Sequence, residues 1–157
     1  MVINNLSSKK EIEKWICSQS WYQRIQLSNG LVTPGKVDCK QRLSFLESAE
    51  ISGRSVLDIG CNSGYYCLWA KKQGAAKVVG IDINKDRLQQ ARTLAEIESL
   101  EIEYCIKPIA EISELGRFDT VFCFAVLTEI SDLLGSLQAL TTVISHKVFV
   151  ELALAKP

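Results

Sequence analysis

Apolar positions along this chain follow two different spacings. Near the start they recur at helical intervals: Ile12, Trp15 and Ile16 follow Ser8-x-x-Glu11, a capping-box pattern, and predict a helix that ends near Gln19. Leu43, Leu46 and Ala49 predict a second helix over residues 39–50. Between the two, Asn29-Gly30 and Thr33-Pro34-Gly35 are turn signals, so residues 21–38 read as an irregular connector.

From residue 55 onward short apolar runs alternate with helical patterns. Strands are predicted over 55–59, 77–83, 102–106, 120–127 and 147–154. Helices fall between them over 65–73, stopped by Gly74, over 86–99 and over 132–144. Leu88, Ala91, Leu94 and Ala95 form the inward face of the second of these, and Leu133, Leu137, Leu140 and Ile144 that of the third. Nearly uniform apolar strands separated by helices imply an α/β fold, a doubly wound and mostly parallel sheet covered on both faces. Residues 1–52 are expected to supply N-terminal helices and a covering connector, and 53–157 the α/β core, in one compact domain.

Composition narrows the class. The chain has 157 residues, 47% apolar and 23% charged, which suits one globular domain with a sizeable core. Lys plus Arg balances Asp plus Glu at 18 each, so no net field draws it to nucleic acid or to an anionic surface. Residues 1–10 are polar and lack a secretory apolar core, and no apolar run approaches the ~20 residues of a membrane helix. Six cysteines with no C-x-x-C pair and a single histidine fit reduced, mostly buried thiols better than a disulfide framework or a metal site. A cytoplasmic protein without metal or membrane partner is expected.

The candidate chemistry lies after the first predicted strand. In an open parallel sheet, ligands sit beyond the carboxyl ends of the strands where the strand order reverses. There the chain reads Asp58-Ile59-Gly60-Cys61-Asn62-Ser63-Gly64-Tyr65. A dinucleotide fingerprint would need glycine where Asn62 stands, so that a pyrophosphate could approach the backbone. Asp58 would face phosphates unfavourably but an ammonium or sulfonium favourably. A ligand with an amino-acid end and a nucleoside end fits better, and S-adenosylmethionine is that ligand. Asp82 follows 24 residues after Asp58, at the spacing of an acidic residue that accepts both ribose hydroxyls, with Ile83 beside it. Ile109 and Ala110, after strand three, would border the adenine. Phe124 and Ala125, after strand four, would lie under the methionine portion.

At these residues the chain resembles the class I S-adenosylmethionine-dependent methyltransferases, from about Arg54 to the end of strand five. Upstream, Trp21-x-x-x-Ile25-x-Leu27 with Thr33-Pro34-Gly35 is similar to the lead-in of a narrower group. That group includes the carboxymethyltransferase acting on wobble uridine in tRNA and relatives of unassigned substrate. The resemblance implies that Gly60, Cys61, Asn62, Gly64 and Tyr65 contact the cofactor and that Tyr22, Gln23 and Gly35 form a lid over it. It also implies S-adenosylhomocysteine as product. Two departures stand out: Thr128-Glu129 replaces the group's Tyr-His pair after strand four, and the sequence stops before the usual C-terminal β-hairpin. An open fifth strand would then be an edge where a second copy could pair.

Methyl transfer needs no protein nucleophile, and none is visible; Glu129 is the candidate base, whereas His146 reads as structural. A small-molecule acceptor is favoured over nucleic acid. The alternatives are a non-catalytic S-adenosylmethionine-binding module or partner subunit, and a nucleotide-binding oxidoreductase, which Asn62 and Asp58 disfavour.

Overall fold

The computed structural model describes residues 8–152. Five strands, β1 (Ser55–Ile59), β2 (Lys77–Asp82), β3 (Glu103–Ile106), β4 (Phe118–Phe124) and β5 (Ile144–Glu151), form one sheet. All neighbours are parallel and the order is β3-β2-β1-β4-β5. The helices are α1 (Lys9–Ser18), α2 (Leu43–Leu46), α3 (Tyr65–Lys72), α4 (Lys85–Ile97) and α5 (Leu133–Val143). This is the doubly wound α/β architecture the apolar pattern implies. The strand order reverses between β1 and β4, which places any ligand site above their carboxyl ends.

Alternate strand residues enter two cores, one on each face. Val56, Val78, Tyr104 and Phe122 pack with Ile12, Cys67, Leu68, Leu88 and Leu94. Leu57, Ile59, Val79, Ile81, Val121 and Cys123 pack with Ile109, Ile112, Leu140 and Val143. Each such side chain contributes roughly 1.5–3 kcal/mol on burial, so the central strands are held from both sides. The capping box is present, with Ser8 Oγ accepting from the Glu11 amide and the Glu11 carboxylate accepting from the Ser8 amide.

Several boundaries differ from the pattern. Residues 39–50 do not form one helix: a 3-10 turn at Cys39–Arg42 leads into α2, followed by a second 3-10 turn at Glu47–Ala49. Asp38 causes the tight start, its carboxylate accepting from the Lys40 amide at 3.0 Å. The fourth strand begins at Phe118 and stops at Phe124, because Ala125 takes a left-handed φ of 57° and turns the chain into a 3-10 turn at Leu127–Glu129. On α5 the inward face is Ser136, Ala139, Leu140 and Val143, whereas Leu133 and Leu137 stay 45% and 40% exposed. That helix lies on the 3-10 segment Ile109–Leu115, and the small residues permit the close approach.

Ile144 is the first residue of β5, paired with Phe118, rather than the last of the helix. His146 is exposed within β5; the further strand residues expected at 153 and 154, like residues 1–7, lie outside the described residues. The connector is more ordered than its turn signals suggest. Trp21, Gln23, Ile25 and Leu27 are buried while Tyr22, Arg24 and Gln26 face outward, an alternation of extended chain. Backbone bonds Thr33–Ile25, Arg24–Val37 and Val37–Tyr22 fold it back on itself. Of the six cysteines four are buried, Cys105 is half-buried and Cys17 is exposed.

Candidate functional site

A cavity of about 580 Å³ opens above the carboxyl ends of β1 and β4, within the range of small-ligand sites. Its lining includes Asp58, Gly60, Asn62, Asp82, Ile83, Ile109, Ala110, Phe124, Ala125, Glu129, Tyr22 and Gln23, residues the sequence places at the site. Four expected residues are not in the lining. Cys61 is fully buried, Tyr65 is packed edge-on against Tyr66, and Gly64 lies against the Tyr104 hydroxyl and Ala91. Gly35 touches the backbone of Gln23 so closely that an added Cβ would stand 2.2 Å from it. Gly35 therefore lets the connector close, and lies behind the cavity wall rather than over the opening.

The bend after β1 is fixed by several partners. Gly60 takes φ 70°, and a Cβ there would meet Val126 Cγ2 at 2.3 Å, so the position requires glycine. Asn62 is also left-handed, with φ 53°, and its side-chain oxygen accepts from the Ser63 amide at 2.9 Å. Gln23 reaches in from the connector, 5% exposed: its Oε1 accepts from the Tyr65 amide at 3.2 Å and its Nε2 donates to the Cys61 carbonyl at 3.4 Å. Gln23 thus ties the connector to the bend.

The two carboxylates differ in surroundings. Asp82, at the tip of β2, accepts from the Asn62 amide at 2.9 Å on one oxygen and from the Asn84 amide at 2.8 Å on the other. Each oxygen keeps a lone pair free for a diol. The α4 helix is capped by Asn84, so Asp82 is not spent as its cap. Asp58 is 2% exposed, and burial pushes its carboxyl up to about 7, a rise that the nearby Asp82 charge reinforces. Its one side-chain partner is the Cys67 thiol, which donates to Oδ2 at 3.2 Å. The Cys67 backbone also stabilises the charge, but burial outweighs both contacts, and a carboxyl so placed favours an incoming cation.

Residues beyond the sequence-based set complete the lining: Val37, Cys39, Arg42, Tyr66, Ile130, Ser131, Asp132 and Ser136 join Lys107, Pro108 and Val126 from the flanking loops. Cys39 and Arg42 point to the same wall because a 3-10 turn stacks positions three apart. A long-range pair explains why Arg42 escapes sequence reading: its guanidinium binds Glu151, 109 residues away, through Nε at 2.9 Å and Nη2 at 2.6 Å. Among the described residues no helix is long and apolar enough to cross a membrane, and no group of three acidic, Cys or His side chains is placed to hold a metal.

The residues fit an amino-acid-bearing nucleoside. The Asp82 carboxylate, with lone pairs left over, and the buried Asp58 carboxyl line one cavity, together with the apolar side chains of Ile109, Ala110 and Phe124. A family model described as a methyltransferase domain matches residues 51–152. The tRNA U34 carboxymethyltransferase of Campylobacter hominis is 33% identical over 92 residues, 58% of this chain and 32% of that protein. The ribosomal protein L11 methyltransferase of Vibrio campbellii is 50% identical over 54 residues, 34% of this chain and 18% of that one. This chain therefore spans about a third or less of the length of these relatives. Among solved structures, the bifunctional kinase-methyltransferase WbdD superposes with a TM-score of 0.71 at 26% identity, covering 90% of this chain and 35% of WbdD.

Proposed function

Because this chain belongs to the methyltransferase-domain family, whose methyl donor is S-adenosylmethionine, we propose that its cavity binds that donor and directs its methyl group to a small-molecule acceptor. One observation carries the proposal: Asp58 and Asp82 converge on a single cavity across the bend at Gly60, at the point where the strand order reverses. Asp82 holds the ribose hydroxyls with the lone pairs left by its two amide partners. Asp58 pairs with the ammonium and ionises as it does so. Ile109 and Ala110 border the adenine, and Phe124 and Ala125 lie beneath the methionine portion. Tyr22, exposed on the connector, covers the opening, while Gln23 holds the bend in shape.

When bound, S-adenosylmethionine supplies a methyl group already activated on sulfur, so the chain needs no covalent nucleophile. The protein's task is to orient the acceptor and exclude water. Glu129, at the rim after β4, takes the proton of a hydroxyl or N–H acceptor. Zero net charge and a cavity of about 580 Å³ support a small acceptor over a nucleic acid. The outer edge of β5 has no strand partner among the described residues, and Val148 and Val150 are exposed beside it, which supports pairing with a second copy there.

The test is release of S-adenosylhomocysteine from S-adenosylmethionine in the presence of a metabolite extract, bulk tRNA or ribosomal protein. Product formed with the small-molecule fraction supports the proposal. Product formed only with tRNA or protein overturns the acceptor class, and failure to bind the donor overturns the whole reading.

A further inference from the structure

The cavity contains a cation to which the reading above assigns no part of the cofactor. Arg42 and Lys107 are its two basic lining residues among those described. Lys107 is committed to carboxylates, with Glu114 at 3.0 Å and Glu111 at 3.8 Å. Arg42 is anchored differently. Glu151, which is not part of the lining, takes the Nε and Nη2 edge of the guanidinium. Nη1 approaches the Tyr66 hydroxyl at 3.4 Å, and that hydroxyl itself donates to the Cys39 carbonyl at 3.1 Å. A guanidinium has five N–H groups, so these contacts leave two of them without an acceptor among the described residues.

The surroundings favour a planar anion. The guanidinium carbon stands 5.9 Å from the centroid of the Phe124 ring, and the Tyr66 and Phe124 rings meet at 4.8 Å with a tilt of 57°. Arg42 retains 25% of its side-chain exposure. It is therefore partly desolvated and held on its Nε edge by a part-exposed carboxylate, close to the Tyr66 and Phe124 rings. A fork held in this way loses little entropy when a second carboxylate docks. Arg42 sits against Phe124 at the end of β4 and Glu151 in β5, whereas Asp82 ends β2 and Ile109 and Ala110 follow β3, on the other side of β1.

We propose that Arg42 is the anchor for a carboxylate on the methyl acceptor, and that the substrate class is a small aromatic or otherwise planar organic acid. Glu151 is a positioning residue that presents the guanidinium and balances its charge when no acceptor is bound. The proposal rests on the methyltransferase reading above, since it assigns the acceptor end of the same cavity.

The experiment titrates the S-adenosylhomocysteine-saturated protein with benzoate and with its neutral isostere benzamide, followed by ligand-detected NMR. Benzoate is expected to bind at least tenfold more tightly. In Arg42→Gln that preference disappears, while affinity for S-adenosylhomocysteine stays within about twofold. In Glu151→Gln, which breaks the same ion pair but keeps the guanidinium, the preference for benzoate over benzamide persists while benzoate affinity changes as the guanidinium loses its fixed orientation; loss of the preference itself overturns the proposal. Equal binding of the two probes to wild type overturns the proposal, and this arm requires no variant to fold. A tenfold loss of S-adenosylhomocysteine affinity in Arg42→Gln also overturns it, by assigning the guanidinium to the cofactor's own carboxylate. Wild type that fails to bind S-adenosylhomocysteine removes the methyltransferase reading and this proposal together; binding of S-adenosylhomocysteine without discrimination between the probes removes this proposal alone.

Discussion

Replacing Asp58 with Asn should stabilise the ligand-free protein at alkaline pH while impairing the site. In the folded chain the Asp58 carboxyl titrates at about 7, against 3.8 in an open chain, because burial disfavours its charge. Between those two values the native state holds a proton that the unfolded chain has released, so Asp58 makes stability fall as pH rises through that window. Above pH 7 the loss is complete and no longer grows. The full shift of roughly three pKa units corresponds to about 4 kcal/mol, of which about 2.5 kcal/mol develops between pH 5 and pH 8. Asn has no such titration, so the difference in stability between variant and wild type should widen by that amount over the interval. For a domain of this size the widening is about 5–10 °C in Tm. Thermal melts of both proteins without ligand, at pH 5, 6, 7 and 8, read it directly. A difference that stays constant across the series refutes the buried, undercompensated carboxyl.

The same carboxyl should make cofactor binding pH-dependent: pairing with an ammonium draws it below 7, so affinity for S-adenosylhomocysteine falls by up to about tenfold per unit as pH drops below 7. Titration with 5′-methylthioadenosine, which lacks the amino-acid end, should show no such slope; parallel slopes for both ligands contradict the assignment. Gln23→Ala removes both ties to the bend, costing about 1–3 kcal/mol and speeding hydrogen exchange at the Tyr65 amide, which stays protected if Gln23 is only lid. Gly60→Ala should lose at least about 1 kcal/mol of stability, from the left-handed φ together with the contact on Val126, as read by urea denaturation; a neutral effect contradicts the close packing of the bend.

The sequence exposes the centre of the sheet clearly because β1, β2 and β4 are buried on both faces and so read as largely apolar runs. The bend, its two carboxylates and the apolar wall at Ile109, Ala110 and Phe124 were legible for the same reason: they sit at strand ends, whose position the apolar pattern fixes. What could not be read depends on tertiary contact. The helix expected over 39–50 breaks because Asp38 caps a tight turn that carries Cys39 and Arg42, and nothing in the apolar pattern marks that turn as a wall of the cavity. The role of Arg42 depends on Glu151, at the far end of the chain. On α5 Leu140 is inward as expected, but Leu133 and Leu137 mislead, since the partner segment Ile109–Leu115 approaches closely and selects Ser136 and Ala139 beside it. Gly35, expected over the opening, belongs to the packing that closes the connector, while Gln23 lines the cavity and also holds the bend.

Calorimetric titration with S-adenosylhomocysteine, on wild type and on Asp82→Ala, probes the cavity assignment most directly. Wild type should bind one equivalent with micromolar affinity, and the variant should lose at least about 1.4 kcal/mol, a tenfold weakening, as the ribose hydroxyls lose their acceptor. Equal affinity in the two proteins, or no heat of binding in either, would contradict a nucleoside held between Asp58 and Asp82.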